Sequence, residues 1–203
     1  PAGENQNLHG TWWKFGNNGV TLAGEIRYHV NRGSDSALPG VYKIGGFYMT
    51  GRFLDVSRMG NVTTTGGAMI WLLADQMLYR ESPGERRGLS AFGSLVLSLT
   101  DKTNPMTSYF NAGLVYEGLF CTRPRDRTGL AVTAGFFGKD YKDGLRAAGL
   151  ETKSHEAVIE FNHLFLVGRG IGIQPDIQYI IRPAGTGAIS NALAVGVKVS
   201  VDF

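Results

Sequence analysis

Apolar and polar residues alternate with a period of two along most of this chain. From Asn191 onward, Leu193, Val195, Val197, Val199, Val201 and Phe203 share one face of an extended strand, and Ala192, Ala194, Gly196, Lys198, Ser200 and Asp202 share the other, because successive strand side chains point to opposite faces. The same division recurs upstream. Val20, Leu22, Ile26, Tyr28 and Val30 oppose Thr21, Glu25, Arg27 and His29; Phe110, Leu114, Tyr116 and Phe120 oppose Asn111, Gly113 and Glu117. Leu130, Val132, Ala134 and Phe136 oppose Thr133 and Gly135, and Ala157, Ile159, Phe161 and Phe165 oppose Glu156, Glu160 and Asn162. Ile171, Ile173, Pro175, Ile177, Tyr179 and Ile181 oppose Gln174, Asp176, Gln178 and Arg182.

The pattern predicts ten strands, at about 8–16, 20–31, 40–51, 66–78, 88–100, 108–121, 127–138, 153–166, 169–182 and 189–203. Turn chemistry separates them, for example Asn17-Asn18-Gly19, Ser82-Pro83-Gly84-Glu85, Pro124-Arg125-Asp126 and Pro183-Ala184-Gly185. Tyr141 to Leu150 can hold one or two helical turns in a long loop. Segments 66–78 and 88–100 leave their facing open, since Asp75 and Gln76 cannot both point to one side of a regular strand. Pro175 predicts a bulge or local distortion, because proline gives no ladder hydrogen bond.

A face of Ile, Leu and Val opposite a face of Glu, Asp, Gln, Asn and Arg suits a strand between lipid and a wet lumen. It also suits a half-buried strand of a soluble sandwich or barrel, with the polar face in bulk water. Length weighs toward lipid: strands of ten or more residues match the ~9–11 needed to cross a bilayer at a tilt, against ~5–6 in soluble sheets.

Composition narrows the field. The 203 residues carry 29 glycines, 43% hydrophobic and 11% aromatic residues, and a mean hydropathy of −0.07. No run approaches the ~20 apolar residues of a membrane helix; Ala68 to Ala74 is strand length. The net charge of +3 is dispersed, without the Lys/Arg block that tracks nucleic acid. Cys121 is alone, which excludes an internal disulfide. The start at Pro1-Ala2-Gly3-Glu4, without Met or signal peptide, reads as a mature form or a fragment.

A barrel can be tested for internal direction. If Phe203 ends on the periplasmic side, connections 183–188, 139–152, 101–107, 52–65 and 17–19 lie outside, and 167–168, 122–126, 79–87 and 32–39 lie on the periplasmic side. The two longest then fall outside, as outer-membrane barrels require. The turn 79–87 is long and 17–19 short for this scheme.

Specific wording adds a family. Gln174-Pro175-Asp176-Ile177-Gln178-Tyr179, followed by Pro183, resembles the QPDxQYxxxP strand of the carbohydrate-selective, OprB-like porins. Pro39 to Tyr48 is similar to that family's PGxYxxGxxY, Asp75 to Arg80 to its DQxxxR, and Ala194 to Phe203 to its last strand. The resemblance implies an all-β, transmembrane, antiparallel up-and-down β-barrel in the Gram-negative outer membrane. Ten of its usual sixteen strands would lie here, so residues 1–203 would form a single barrel domain that is the C-terminal part of a longer porin. It implies passive diffusion of small sugars with no cofactor. Outer-membrane lipid would surround the wall, and Phe203 would serve as the C-terminal aromatic read by the barrel-assembly machinery. A homo-oligomer stays open.

Ten residues are pore-lining candidates: Glu25, Arg27, Lys43, Glu117, Glu156, Glu160, Asn162, Gln174, Asp176 and Gln178. Carboxylates, amides and guanidinium groups offer donors and acceptors to neutral, hydroxyl-rich sugars, and Trp71 or Phe47 could stack on a pyranose. Each can equally be part of a salt-bridged wall with no ligand role. His9, His29, His155 and His163 lack metal-ligand spacing. Two alternatives remain: a soluble ligand-binding β-barrel, and an outer-membrane hydrolase using Ser154 and His155, for which no third orienting residue stands out. Gly-rich strand interiors weaken a sheet, and in a pore would let the wall curve or a loop approach.

Overall fold

Alternating β-branched and aromatic residues between Gly, Asn and Pro clusters fold as successive hairpins. The computed structural model describes residues 19–33, 37–58, 62–168, 170–185 and 187–202. Among them run nine strands: β1 (Thr21–Val30), β2 (Gly40–Leu54), β3 (Thr63–Arg80), β4 (Gly88–Ser98), β5 (Met106–Glu117), β6 (Arg127–Phe137), β7 (His155–Val167), β8 (Ile171–Ile181) and β9 (Ala192–Val201). Each pairs antiparallel with the next, giving one sheet in the order β1 to β9. Nine of the ten expected segments are therefore strands. The first, 8–16, lies outside the described residues, as do His9, Trp12, Trp13 and Phe203.

The register assigns every side chain to a face. Ile26, Ile44, Leu72 and Leu95 form one continuous row across β1 to β4, and Leu114, Leu130, Phe161, Ile177 and Val195 another across β5 to β9. These rows are on the apolar face, and they are exposed, with Ile26 at 73% and Val195 at 75%. Hydrophobic residues under a tenth exposed number three among the described residues, Met77, Phe137 and Leu145. A soluble sheet of this size would bury its apolar face, because that burial drives folding in water. This sheet turns it outward instead.

The two ambiguous strands are settled by their neighbours. Asp75 pairs with Val41 and Phe92 on the polar face, and Gln76 with Gly40 and Ala91 on the apolar one. Gln76 is tolerated there because it sits near a strand end. Its amide donates to the carbonyls of Pro39 and Met77 at 3.3 and 2.9 Å, and its oxygen accepts from the Tyr42 hydroxyl at 2.7 Å. Pro175 makes no bulge. The register passes it unshifted, but pairing with β7 skips from Asn162–Asp176 to Phe165–Ile173, while pairing with Val197 of β9 is kept. Bulges fall elsewhere, between Met49 and Arg52, Met77 and Tyr79, and Met106 and Ser108.

The connections sort by end. At one end lie 31–39, 81–87, 118–126 and 168–170. At the other lie 55–62, 99–105, 138–154 and 182–191, and these hold all the helical elements of the described residues: 3-10 turns at Val56–Arg58, Asp101–Thr103 and Pro183–Gly185, and the α-helix α1 (Lys139–Ala147). The expected helical turn at Tyr141 to Leu150 is thus real but starts two residues earlier. The connection 139–152, expected on the opposite end from 122–126, is there.

Candidate functional site

All ten sequence candidates lie on the polar face of the sheet. The register puts Glu25, Arg27, Lys43, Glu117, Glu156, Glu160, Asn162, Gln174, Asp176 and Gln178 on it without exception. They do not form one cluster. On β1 to β3, Glu25 accepts from the Trp71 indole N–H at 3.0 Å and from Arg27 at 3.3 Å, with Lys43 beside Arg27 in register. On β7 and β8, Glu160 accepts from the amides of Asn162 and Gln178 at 2.7 and 3.1 Å, and Gln178 also donates to Asp176 at 3.1 Å. Gln174 lies opposite Lys198. Glu117, at the end of β5, takes Arg127 at 3.1 Å and Arg86 at 3.6 Å. Glu156 lies at the other end, where it accepts the backbone N–H of Ala184 in the β8–β9 connection.

Glycines explain how these side chains are held. Gly45 faces Trp71, Gly113 faces Phe92, Gly129 faces Asn162 and Gly196 faces Asp176 in register. A Cβ on Gly129 would come 2.9 Å from Asn162 Oδ1, and one on Gly196 2.6 Å from Asp176 Oδ2. The missing Cβ at Gly45 lets Trp71 lie across β2 and reach Glu25 on β1, while those at Gly129 and Gly196 leave room for Asn162 and Asp176, which bond to Glu160 and Gln178 on their own strands. The glycines therefore act by making room for polar-face side chains.

Helix α1 overlooks this face. Phe137, the polar-face residue ending β6, stacks on Tyr141 of α1 at 5.6 Å between centroids. Gly144 rests on the 3-10 turn of the β2–β3 connection, where a Cβ would meet the carbonyl oxygens of Val56 and Ser57 at 2.8 and 2.9 Å. Leu145 is 4% exposed. Lys139 and Arg146 both bind Asp143, at 2.7 and 3.0 Å; the Lys139 hydrogen bond, foremost, holds the Asp143 carboxyl below its usual range. The turn that α1 rests on is itself pinned, since Asp55 accepts the N–H and hydroxyl of Ser57 at 2.9 and 2.6 Å.

The opposite end carries a second pinned connection. Asp126, 3% exposed, accepts from Arg123, from the N–H of Leu166 at 3.0 Å and from His163 Nε2 at 3.4 Å. Burial pushes its carboxyl up, but the Arg123, Leu166 and His163 hydrogen bonds outweigh that and hold it below the ordinary range. Thr128 contacts the other ring nitrogen of His163 at 2.8 Å.

Ser154 Oγ does lie 2.9 Å from His155 Nδ1. The third group is the reverse of what a nucleophile needs. Arg182 Nη1 stands 3.4 Å from His155 Nε2, and a cation there opposes the imidazolium that a general base must become.

Sequence reasoning missed Ser90, Phe92 and Ser94 of β4 as polar-face residues, whereas Asn111 and Thr133 lie on the face expected of them. In β4 both faces mix small residues with apolar ones, so period two gives no sign of direction; only its register with β3 and β5 does.

Comparison with known proteins gives a consistent answer. The model of the family "Carbohydrate-selective porin, OprB family" matches residues 1–203. Porin B of Pseudomonas aeruginosa is 28% identical over 213 residues, covering 93% of this chain and 46% of Porin B. The high-pH structure of Pseudomonas putida OprB superposes with a TM-score of 0.79 at 26% identity, covering 92% of this chain and 49% of that one. Its low-pH structure gives a TM-score of 0.63 at 24% identity, over 91% and 47%. The chain spans about half the length of the relatives it matches.

Proposed function

This chain belongs to the carbohydrate-selective porin, OprB family, and from that premise we propose that its nine strands form part of the wall of an outer-membrane pore through which small sugars diffuse passively. The observation that carries this reading is the inverted sheet: the apolar rows are exposed and the hydrogen-bonded polar residues share the other face. In lipid the exposed rows lose nothing, and the pairing of each strand with the next satisfies most backbone groups inside the sheet, between its two outer edges. A soluble ligand-binding barrel would have to leave the same rows in water.

In this reading the polar face lines the lumen. Its ten candidates, five carboxylates and two cations among them, act as a hydrated, predominantly acidic wall of donors and acceptors that exchange for water as a sugar passes. Selectivity of this kind needs binding strong enough to admit the solute and weak enough to release it. The Glu25–Trp71 and Glu160–Gln178 contacts hold the wall rigid between passages. Helix α1, above the lumen face, narrows the entrance at the helix-bearing end, which is the extracellular one; the shorter-turn end faces the periplasm. No bond is made or broken, and no cofactor takes part.

The test is conductance in planar bilayers with the full-length protein. Stepwise channels whose conductance falls on addition of D-glucose are expected. A protein that stays soluble without detergent and forms no channels would overturn the reading.

A further inference from the structure

Several carboxylates on the polar face are already hydrogen-bonded within the wall, among them Glu25, Glu160 and Asp176. One place differs, at the shorter-turn end. There the start of β2, the end of β3, the turn 81–87, β4 and the end of β5 frame an open groove of about 340 Å³. That volume lies at the lower end of the ~300–1,000 Å³ of small-molecule sites, so it suits a small solute. Its lining includes the polar residues Asp75, Glu85, Arg86, Ser90 and Glu117 and the apolar Val41 and Met77.

The carboxylates here are not used up. Glu117 is paired with Arg127 and Arg86. Asp75, Glu85 and the Ser90 hydroxyl have no side-chain hydrogen bond or ion pair among the described residues, in contrast to Glu25 and Glu160 on the same face. The Arg86 side chain is 80% exposed and holds Glu117 only at 3.6 Å, so its guanidinium remains open to another acceptor. Three carboxylates outnumber the guanidinium groups here, which disfavours an anion. Accepting oxygens, a fork of N–H donors, a hydroxyl and two apolar side chains match a molecule with hydroxyls on its edge and C–H groups on its faces.

We propose that this groove is a monosaccharide site at the shorter-turn mouth of the pore. Asp75 and Glu85 accept sugar hydroxyls, Arg86 and Ser90 donate to or accept from the ring's other oxygens, and Val41 and Met77 lie against its C–H surface. The site rests on the sugar-pore reading and gives it a second station, apart from the wall networks of β1–β3 and β7–β8. A pocket there holds a sugar at the end of its passage and sets the rate at which it leaves.

The test uses the full-length porin in planar bilayers, with D-glucose added on one side at a time. The D75N/E85Q double variant removes two charge-assisted acceptors without changing side-chain volume. Loss of one such hydrogen bond weakens binding roughly tenfold, so the half-blocking glucose concentration is expected to rise about tenfold or more from one side. Block by a polyethylene glycol of similar size, which lacks the hydroxyl pattern, is expected to stay equal in both proteins. An unchanged glucose block in D75N/E85Q, with the unaltered porin still blocked, overturns the pocket and leaves the pore reading standing. An equal loss of glucose and glycol block also overturns it, since that reports altered pore size. If glucose fails to block the unaltered porin at all, the pore reading falls and the pocket with it.

Discussion

At Gly129 an added Cβ would come 2.9 Å from Asn162 Oδ1, so the side chain that donates to Glu160 on its own strand would have to shift. Gly129→Val is therefore expected to break the Glu160–Asn162–Gln178 network more thoroughly than Asn162→Ala, because it displaces the side chain and leaves its polar atoms without their partners. Noise in sugar-free single-channel recordings should rise in Gly129→Val, as a loosened wall fluctuates; equally quiet channels would mean the network does not hold the wall. Asp126 makes a pH-dependent contribution whose sign follows from its depressed carboxyl. An acid with a lowered folded value stabilises fully above its unfolded value, ~3.9, and loses that contribution as pH falls through the folded value. Protease cleavage within 118–126 should thus accelerate only below about pH 4. Asp126→Asn should raise cleavage at neutral pH and flatten the acid response, since it removes the charge and replaces one of the two oxygens that accept from Arg123, His163 and Leu166 with an NH2 donor.

On the scale of the elements, the two faces of β9 give the sharpest comparison. Val197 and Lys198 are neighbours in sequence and opposite in environment. Val197→Lys moves a charge to the lipid side at mid-strand, which costs ~2–4 kcal/mol near the bilayer midplane. Ala194→Lys adds the same charge on the lumen side and should leave folding unchanged. Denaturant titrations in lipid vesicles separate the two outcomes; equal stability would contradict the facing. Helix α1 is tested at Gly144, where any side chain pushes into the Val56 and Ser57 carbonyls. Gly144→Val should free α1 from the β2–β3 connection and raise sugar-free conductance, and an unchanged value would show that α1 does not narrow the entrance. Much of this was legible in the sequence. Nine expected segments are strands, because strict alternation with long runs has no helical reading, and β9 could be faced from its own residues. What was not legible depends on partners. The direction of β4, the split of Asp75 from Gln76, and the groove at 81–87 exist only once the register with adjoining strands is set. The ten lumen candidates were readable as a face, but their division into separate networks was not, since a face is a local property and a network is a cross-strand one.

For the whole molecule, strand parity constrains how the pore can close. In an up-and-down sheet every strand reverses its neighbour, so β1 and β9 run in the same direction. They cannot close on each other with antiparallel pairing, and a second copy of this sheet in the same membrane orientation would present the same parallel mismatch at each seam. Closure requires an odd number of further strands between β9 and β1. The relatives' length, about twice the part matched, leaves room for them. An unpaired strand edge in lipid leaves backbone N–H and C=O groups without partners, each costing several kcal/mol on the order of a lost buried hydrogen bond. Residues 19–202 refolded alone in detergent are therefore expected to give no steady channel and no form that resists sodium dodecyl sulfate until heated. The full-length protein should give both. A heat-modifiable, conducting species from residues 19–202 alone would show that these strands reach a closed pore by parallel pairing, which no pair among the nine uses.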